Sequence, residues 1–181
     1  MEVIGGLEPA RSLILQAIAA GKSVVTANKA VIARHGQEIA EAAAAAGVYV
    51  LIEAAVGGGI PIIEPLKQSL GGNRINRVSG IINGTTNYIL TRMAEEGAAY
   101  DAVLKDAQEL GYAEADPAAD VDGLDAADKI AILATLAFGG SVDRAAIPTD
   151  GIGSLQSVDV DYANQLGYGV KLLAVAERMA E

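Results

Sequence analysis

The sequence predicts an α/β fold in two parts, and three observations carry the prediction. Strand-like and helix-like segments alternate through residues 1–52, the signature of βαβ units on a parallel sheet. From residue 53 onward the alternation gives way to helices separated by glycine-rich turns. Apolar residues make up 51% of the chain and aromatic residues only 4%, so the core has to be built from Ala, Val, Ile and Leu.

The elements follow in order. Residues 2–4 read as a short strand ending in Gly5-Gly6, and residues 9–20 as a helix closed by Gly21 as a C-cap. Residues 23–27 read as a strand bordered by Asn28 and Lys29. The composition predicts an alanine helix over 37–46, ended by Gly47, with His35 left in a loop beside Gly36 and given no role. Residues 48–52 form an apolar run too continuous for a half-exposed strand, so a buried one is expected. Gly57-Gly58-Gly59 then breaks the chain, and Pro61 suits the first position of a helix. Residues 77–82 are strand-like. Helices are expected over 85–95, with Thr85 as N-cap, and over 100–110. A loop over 112–123 precedes the helix within DVDGLDAADKIAILATL, which stops at Gly139-Gly140. Residues 141–157 read as irregular, and VKLLAVA within 167–179 fits strand or helix. The composition shift near residue 53 divides the chain into expected domains over 1–52 and 53–181.

Charge and composition exclude several classes. The net charge is −10 with no basic cluster, so neither a nucleic-acid backbone nor an anionic membrane surface is an expected partner. The chain has no cysteine, which removes disulfides, thiolate metal sites and a cysteine nucleophile. MEVIGGLEPARS lacks the basic and apolar regions of a signal peptide, and the longest apolar run, 42–52, is too short to span a bilayer. A cytoplasmic location is the default expectation.

Glycine turns on a parallel sheet suggest a dinucleotide site, whose fingerprint is G-x-G-x-x-G between a strand and a helix. GGGIPI, GIGSLQ and GYGVKL each lack the last glycine, and none sits between a strand and a helix. The first 52 residues therefore read as the later part of a Rossmann-type domain, with the glycine fingerprint missing.

Several side chains carry possible chemistry. On a helix through DVDGLDAADKIAILATL, Asp125 and Lys129 lie ~40° apart and share a side with Ile132, Leu133 and Leu136. A charged pair thus occupies the stripe that should face the core. The bland reading is a surface i,i+4 pair worth ~0.2–0.5 kcal/mol. Lys29 follows a strand, where parallel sheets place ligand groups; a solvated lysine at a helix start is the plainer account. Gly84-Thr85 opens a helix whose free N–H groups suit a carboxylate as well as a simple cap. The turn after Glu53, through Val56, Gly58 and Ile60, can aim backbone carbonyls at one hard cation, or be only a turn. Gly5 and Gly6 end the first strand, where a side chain would obstruct a cofactor ring; a simple turn is the plainer account.

Five segments, taken together, resemble one family: VVTANKAVIARHG, EAAVGGGIPII, SGIINGTTNYIL, LGYAEADPAADVDGLDAADKIAIL and LGYGVKLLAVA. They are similar to homoserine dehydrogenase, the NAD(P)-linked enzyme joining aspartate semialdehyde and homoserine. The resemblance implies a partial Rossmann-type parallel sheet followed by an α+β catalytic and dimerisation domain, in a chain that is an internal piece of the enzyme, incomplete at its C-terminal end. It implies NADP or NAD as cofactor and a small-molecule substrate. It assigns Lys129 and Asp125 to catalysis and Lys29 to a position beside the nicotinamide and the reacting oxygen. A free lysine, with a pKa near ~10.4, is charged at neutral pH and can donate the proton that a new alkoxide needs, with Asp125 orienting it.

The same resemblance places Glu114 near substrate and cofactor, with Tyr112 and Asp120 close by, and puts Gly84 and Thr85 on the substrate. It implies a structural monovalent cation, sodium, held by carbonyls of Val56, Gly58 and Ile60 with Glu53 nearby, and a homodimer. The related aspartate-semialdehyde dehydrogenase is excluded because it needs a cysteine. The alternative reading is a non-catalytic fragment acting only as a dimerisation or interaction module.

Overall fold

A computed structural model describes residues 1–179 of the chain. It packs as two compact units, one formed by 1–78, 128–147 and the segment from 176, the other by 79–127 and 148–175. The boundary expected at residue 53 lies inside the first unit. Residues 180 and 181 of the expected second domain lie outside the described residues.

In the first unit, α1 (Ala10–Ala19) leads to β1 (Val24–Val25), α2 (Lys29–Ala46) and β2 (Val50–Leu51). The two strands pair in parallel, Val24 opposite Val50 and Val25 opposite Leu51. Glu2 adds a single parallel bridge to Thr26, where residues 2–4 read as a strand. Helix α1 forms because Ala10, Ile14 and Ile18 recur every fourth residue, and all three are buried, against α2 and β1. Each buried isoleucine contributes about 1.5–3 kcal/mol relative to an exposed one.

Helix α2 is longer than the composition predicts. It begins at Lys29 rather than residue 37, because Asn28 caps it by accepting the Val31 N–H at 3.2 Å. Gly36 sits inside the helix and does not break it, so His35 is helical and faces Glu38, 3.8 Å away. Gly47 ends it in the left-handed conformation at φ 64°, as read from sequence. The strand over 48–52 is not buried: Tyr49 is 75% and Leu51 48% exposed. Its continuous apolar run reported hydrophobicity, not burial within this chain.

After the glycine turn, Pro65 rather than Pro61 opens a short π-helical turn, Pro65–Ser69. β3 (Arg77–Gly80) pairs with β4 (Ala174–Glu177), which resolves the ambiguity of VKLLAVA as strand.

The second unit is helical: α3 (Gly84–Glu96), α4 (Tyr100–Glu109), the short α5 (Ala118–Val121) and α7 (Ser157–Gln165). α3 packs against the other three. Ile89, Leu90, Met93, Val103, Val121, Ile152 and Val160 form its buried core. The loop expected over 112–123 contains α5, and α7 falls partly in the stretch read as irregular. Gly151 marks the closest backbone approach. A Cβ there would stand 2.6 Å from the Val121 carbonyl oxygen and 2.8 Å from the Asp122 Cα. The Ile152 N–H donates to that same carbonyl at 2.8 Å.

Helix α6 (Leu124–Phe138) is the helix of the charged stripe, and the chain passes from the second unit to the first within it. It is apolar on nearly every side, with Ala126, Ala127, Ile130, Ala131, Ile132, Leu133 and Ala134 all buried. Among the described residues, no helix is long and apolar enough to cross a membrane.

Candidate functional site

The second unit gathers the acidic residues around the start of α3. Asn83, not Thr85, is the N-cap: its Oδ1 accepts the Thr86 N–H at 2.8 Å and the Thr86 hydroxyl at 2.9 Å. Its Nδ2 donates to Asp120 Oδ1 at 2.7 Å and to Asp125 Oδ2 at 2.9 Å. One amide thus joins a helix cap, the loop carboxylate at 120 and the first turn of α6. Asn83 and Asp125 are 5% and 6% exposed, and Asp120 is half-buried.

Thr85 is buried in the first turn of α3 and donates its hydroxyl to the Tyr112 carbonyl at 2.8 Å. The Tyr112 ring rests against Tyr88, centroids 5.0 Å apart and tilted by 59°, yet stays exposed. Gly84 is exposed at the helix start. The Glu114 side chain is exposed, and its backbone carbonyl accepts from Gln108 at 3.1 Å. Of the expected substrate residues, the structure therefore links Asp120 to Asp125 through Asn83, and Thr85 to Tyr112.

The first unit holds Lys29 and Lys129, both half-buried. Lys29 opens α2 directly after the Asn28 cap. Asn28 does more than fix the turn, because its Nδ2 donates to the Gly6 carbonyl at 2.8 Å. Glu2 braces the same strand end, accepting from Thr26 Oγ1 at 2.5 Å and the Ile4 N–H at 2.8 Å. Burial pushes the Glu2 carboxyl up, but the donors from Thr26, Ile4, Asn28 and Gly5 outweigh it and hold it below the ordinary value. Gly5 and Gly6 both take positive φ, and nothing lies within 4 Å of where a Cβ would stand. That open strand end, bordered by glycines, fits the close approach of a flat cofactor ring.

Glu53 behaves as a loop brace. Its carboxylate accepts the N–H groups of Ile62, Ile63 and Glu64 at 2.7, 2.9 and 2.8 Å. These donors, the one from Ile62 foremost, hold its carboxyl below the ordinary value. Val56 is buried, whereas Gly58 and Ile60 are exposed. Among the described residues, no group of three His, Cys, Asp or Glu side chains could hold a metal ion.

Two features lie outside the sequence reading. Asp128 is buried and receives Arg144 Nε at 2.5 Å and Arg34 Nη1 at 3.0 Å. A cavity of about 910 Å³ lies between α2 and residues 139–145, lined by Ile32, Arg34, Gln37, Thr135 and Arg144 among others. No sequence-predicted site residue lines it. Asn83 also went unread, although asparagine ranks above threonine as an N-cap and stands directly before Gly-Thr-Thr.

The parallel β1–α2–β2 unit places the chain among α/β proteins built on strand–helix–strand units. The homoserine dehydrogenase family model matches residues 61–180, and the model for the NAD-binding domain of homoserine dehydrogenase matches residues 1–53. The chain belongs to the homoserine dehydrogenase family. It is 70% identical over 177 residues to a homoserine dehydrogenase of Synechocystis, covering 98% of this chain and 41% of that relative. The Pseudomonas aeruginosa relative is 54% identical over 178 residues, with the same coverage. A homoserine dehydrogenase crystal structure from Thiobacillus denitrificans superposes with a TM-score of 0.96 at 56% identity, over 98% of this chain and 41% of that one. A hyperthermophilic archaeal homoserine dehydrogenase in complex with NADPH matches with a TM-score of 0.79 at 31% identity, over 93% of this chain and 49% of that one. The chain spans about two fifths of the length of the curated relatives it matches.

Proposed function

We propose that this chain supplies the substrate-binding and proton-transfer residues of a homoserine dehydrogenase, which interconverts L-aspartate 4-semialdehyde and L-homoserine with NADP or NAD. The observation that carries the reading is a buried carboxylate, Asp125, one turn before Lys129 on a helix of this family whose other buried residues, Asp128 apart, are apolar. The bound nicotinamide supplies or accepts hydride. Gly5 and Gly6 leave room for its ring, and Lys29 stands at the same strand end. Lys129 gives a proton to the carbonyl oxygen as it becomes an alkoxide, and takes it back in the reverse direction. Asp125 orients that ammonium. Asp120 and Glu114 offer negative charge to the substrate ammonium. Gly84 and Thr85 present the N-terminus of α3 to its carboxylate, and Tyr112 borders them.

The domain roles follow: 1–52 as part of the dinucleotide-binding domain and 53–181 as the catalytic and substrate domain. A homodimer, a cytoplasmic location and a structural sodium ion on the carbonyls of Val56, Gly58 and Ile60 beside Glu53 belong to the same reading. Their support is the family resemblance and, for the ion, the positive-φ turn at Gly57 and Gly58.

The test is homoserine oxidation by the protein carrying this chain, followed through nicotinamide absorbance. Lys129→Ala is expected to lower kcat by about 10²- to 10⁴-fold with the circular-dichroism spectrum unchanged. Turnover equal to the unsubstituted protein removes Lys129 from the mechanism. A protein that neither binds NADPH nor turns over homoserine would favour the interaction-module reading.

A further inference from the structure

We propose that Asn83 is the positioning residue of the acidic site, holding Asp120 and Asp125 in register through the two hydrogens of one amide nitrogen. The role assigned to those two carboxylates rests on the function proposed above; the tether itself does not.

The orientation of the amide is fixed by its surroundings. Oδ1 faces the Thr86 N–H, which can only donate, at 2.8 Å. Nδ2 faces two carboxylate oxygens, which accept when ionised, at 2.7 and 2.9 Å. Flipping the amide would break three contacts at once. Asn83 is 5% exposed and Thr86 fully buried, so water does not substitute easily for either side. The cap makes the tether rigid, because the asparagine cannot swing toward one carboxylate without surrendering the first turn of α3.

An amide suits this position chemically. Two carboxylates brought together repel each other, and a neutral group with two donors on one nitrogen joins them without cancelling their charge. A lysine or arginine would neutralise the negative charge that a cationic substrate needs. A serine would keep the cap but lose the bridge, since its hydroxyl has one hydrogen and a shorter reach. Asn83 is thus inferred to set where the loop at 120 presents its carboxylate relative to the first turn of α6.

The experiment uses Asn83→Ser, with Asn83→Asp as a second variant that also keeps a capping oxygen. In Asn83→Ser the Thr86 amide resonance is expected to remain near its place. The carboxyl carbons of Asp120 and Asp125 both move in carbon-13 spectra. With homoserine, kcat falls and KM rises, and kcat/KM drops about 10- to 100-fold, the scale of losing hydrogen bonds to charged acceptors. A general loss of folded protein lowers apparent kcat but leaves KM unchanged, and that pattern overturns the proposal. Carboxyl carbons that stay at their original shifts in both variants overturn it as well. If the unsubstituted protein shows no homoserine turnover, the functional reading fails, and the carboxyl spectra alone decide the tether.

Discussion

Asp125 and Asp128 stand three residues apart on α6, and each is 6% exposed. Residue type, helix and burial are the same, yet their partners differ. Asp128 accepts from two guanidinium groups, Arg144 and Arg34. Asp125 accepts from the neutral amide of Asn83, which it shares with Asp120. A carboxylate between two cations is electrically settled and fastens one element to another. The Asn83 amide holds Asp125 in place without itself adding charge. Burial alone does not distinguish the two carboxylates; the elements to which Arg144, Arg34 and Asn83 tie them do.

Five substitutions follow from that contrast and from the carboxylates around it. The largest effect is expected from Asp125→Asn on turnover. The replacement is isosteric and can still accept from Asn83, so unfolding free energy should stay within about 1 kcal/mol. Turnover should fall about 100-fold or more, as misplacing a proton donor does. Steady-state kinetics beside a urea titration reads both. Asp128→Ala should invert the pattern: stability falls by about 3–5 kcal/mol because Arg144 and Arg34 lose their shared buried acceptor, while turnover per folded molecule persists. If Asp128→Ala instead abolishes turnover in fully folded protein, the contrast is wrong.

The two arginines grade the clamp. Arg144 is 10% exposed and Arg34 35%. Arg144→Ala should therefore cost more stability than Arg34→Ala, with the second loss below about 1 kcal/mol. Equal shifts in urea midpoint would place both cations in the same solvent environment, contrary to their exposure.

The smallest effect is on acid stability. Glu2 and Glu53 are held below the ordinary glutamate value of 4.5, so both bind protons more weakly folded than unfolded. Their contribution is present above that value and lost as pH falls through their lower folded values. Glu53→Gln should flatten the acid limb of a stability–pH curve and leave the neutral plateau lower. A limb unchanged in slope would show that other carboxylates carry the acid transition.

The contrast on α6 also shows what a linear reading can reach. The periodicity of DVDGLDAADKIAILATL singled out Asp125 and Lys129 because a charge on an apolar stripe is conspicuous. Asp128 escaped because it lies off the stripe that Asp125 and Lys129 share, and on α6 burial extends well beyond that stripe. The parallel βαβ start, the helices α3 and α4 and the Gly47 stop of α2 were legible from spacing and caps. The start of α2 was hidden by Gly36, a breaker by propensity that the surrounding turns absorb. Helix α7, SVDVDYANQ, has a weak apolar stripe, and its only buried residue is Val160. Asn83 is a good capping residue directly before Gly-Thr-Thr, and only the three-dimensional position of Asp120 and Asp125 reveals the amide's second task.

Gly151 draws a further consequence from packing alone. Its Cα rests on the backbone of Val121 and Asp122, beside the segment that carries Asp120. No side chain fits there, and no flexible atom can step aside, since the obstacles are main chain. In a saturation library of this chain, position 151 should reject even alanine. Its intolerance would look like that of a reacting group, though it contributes nothing but room.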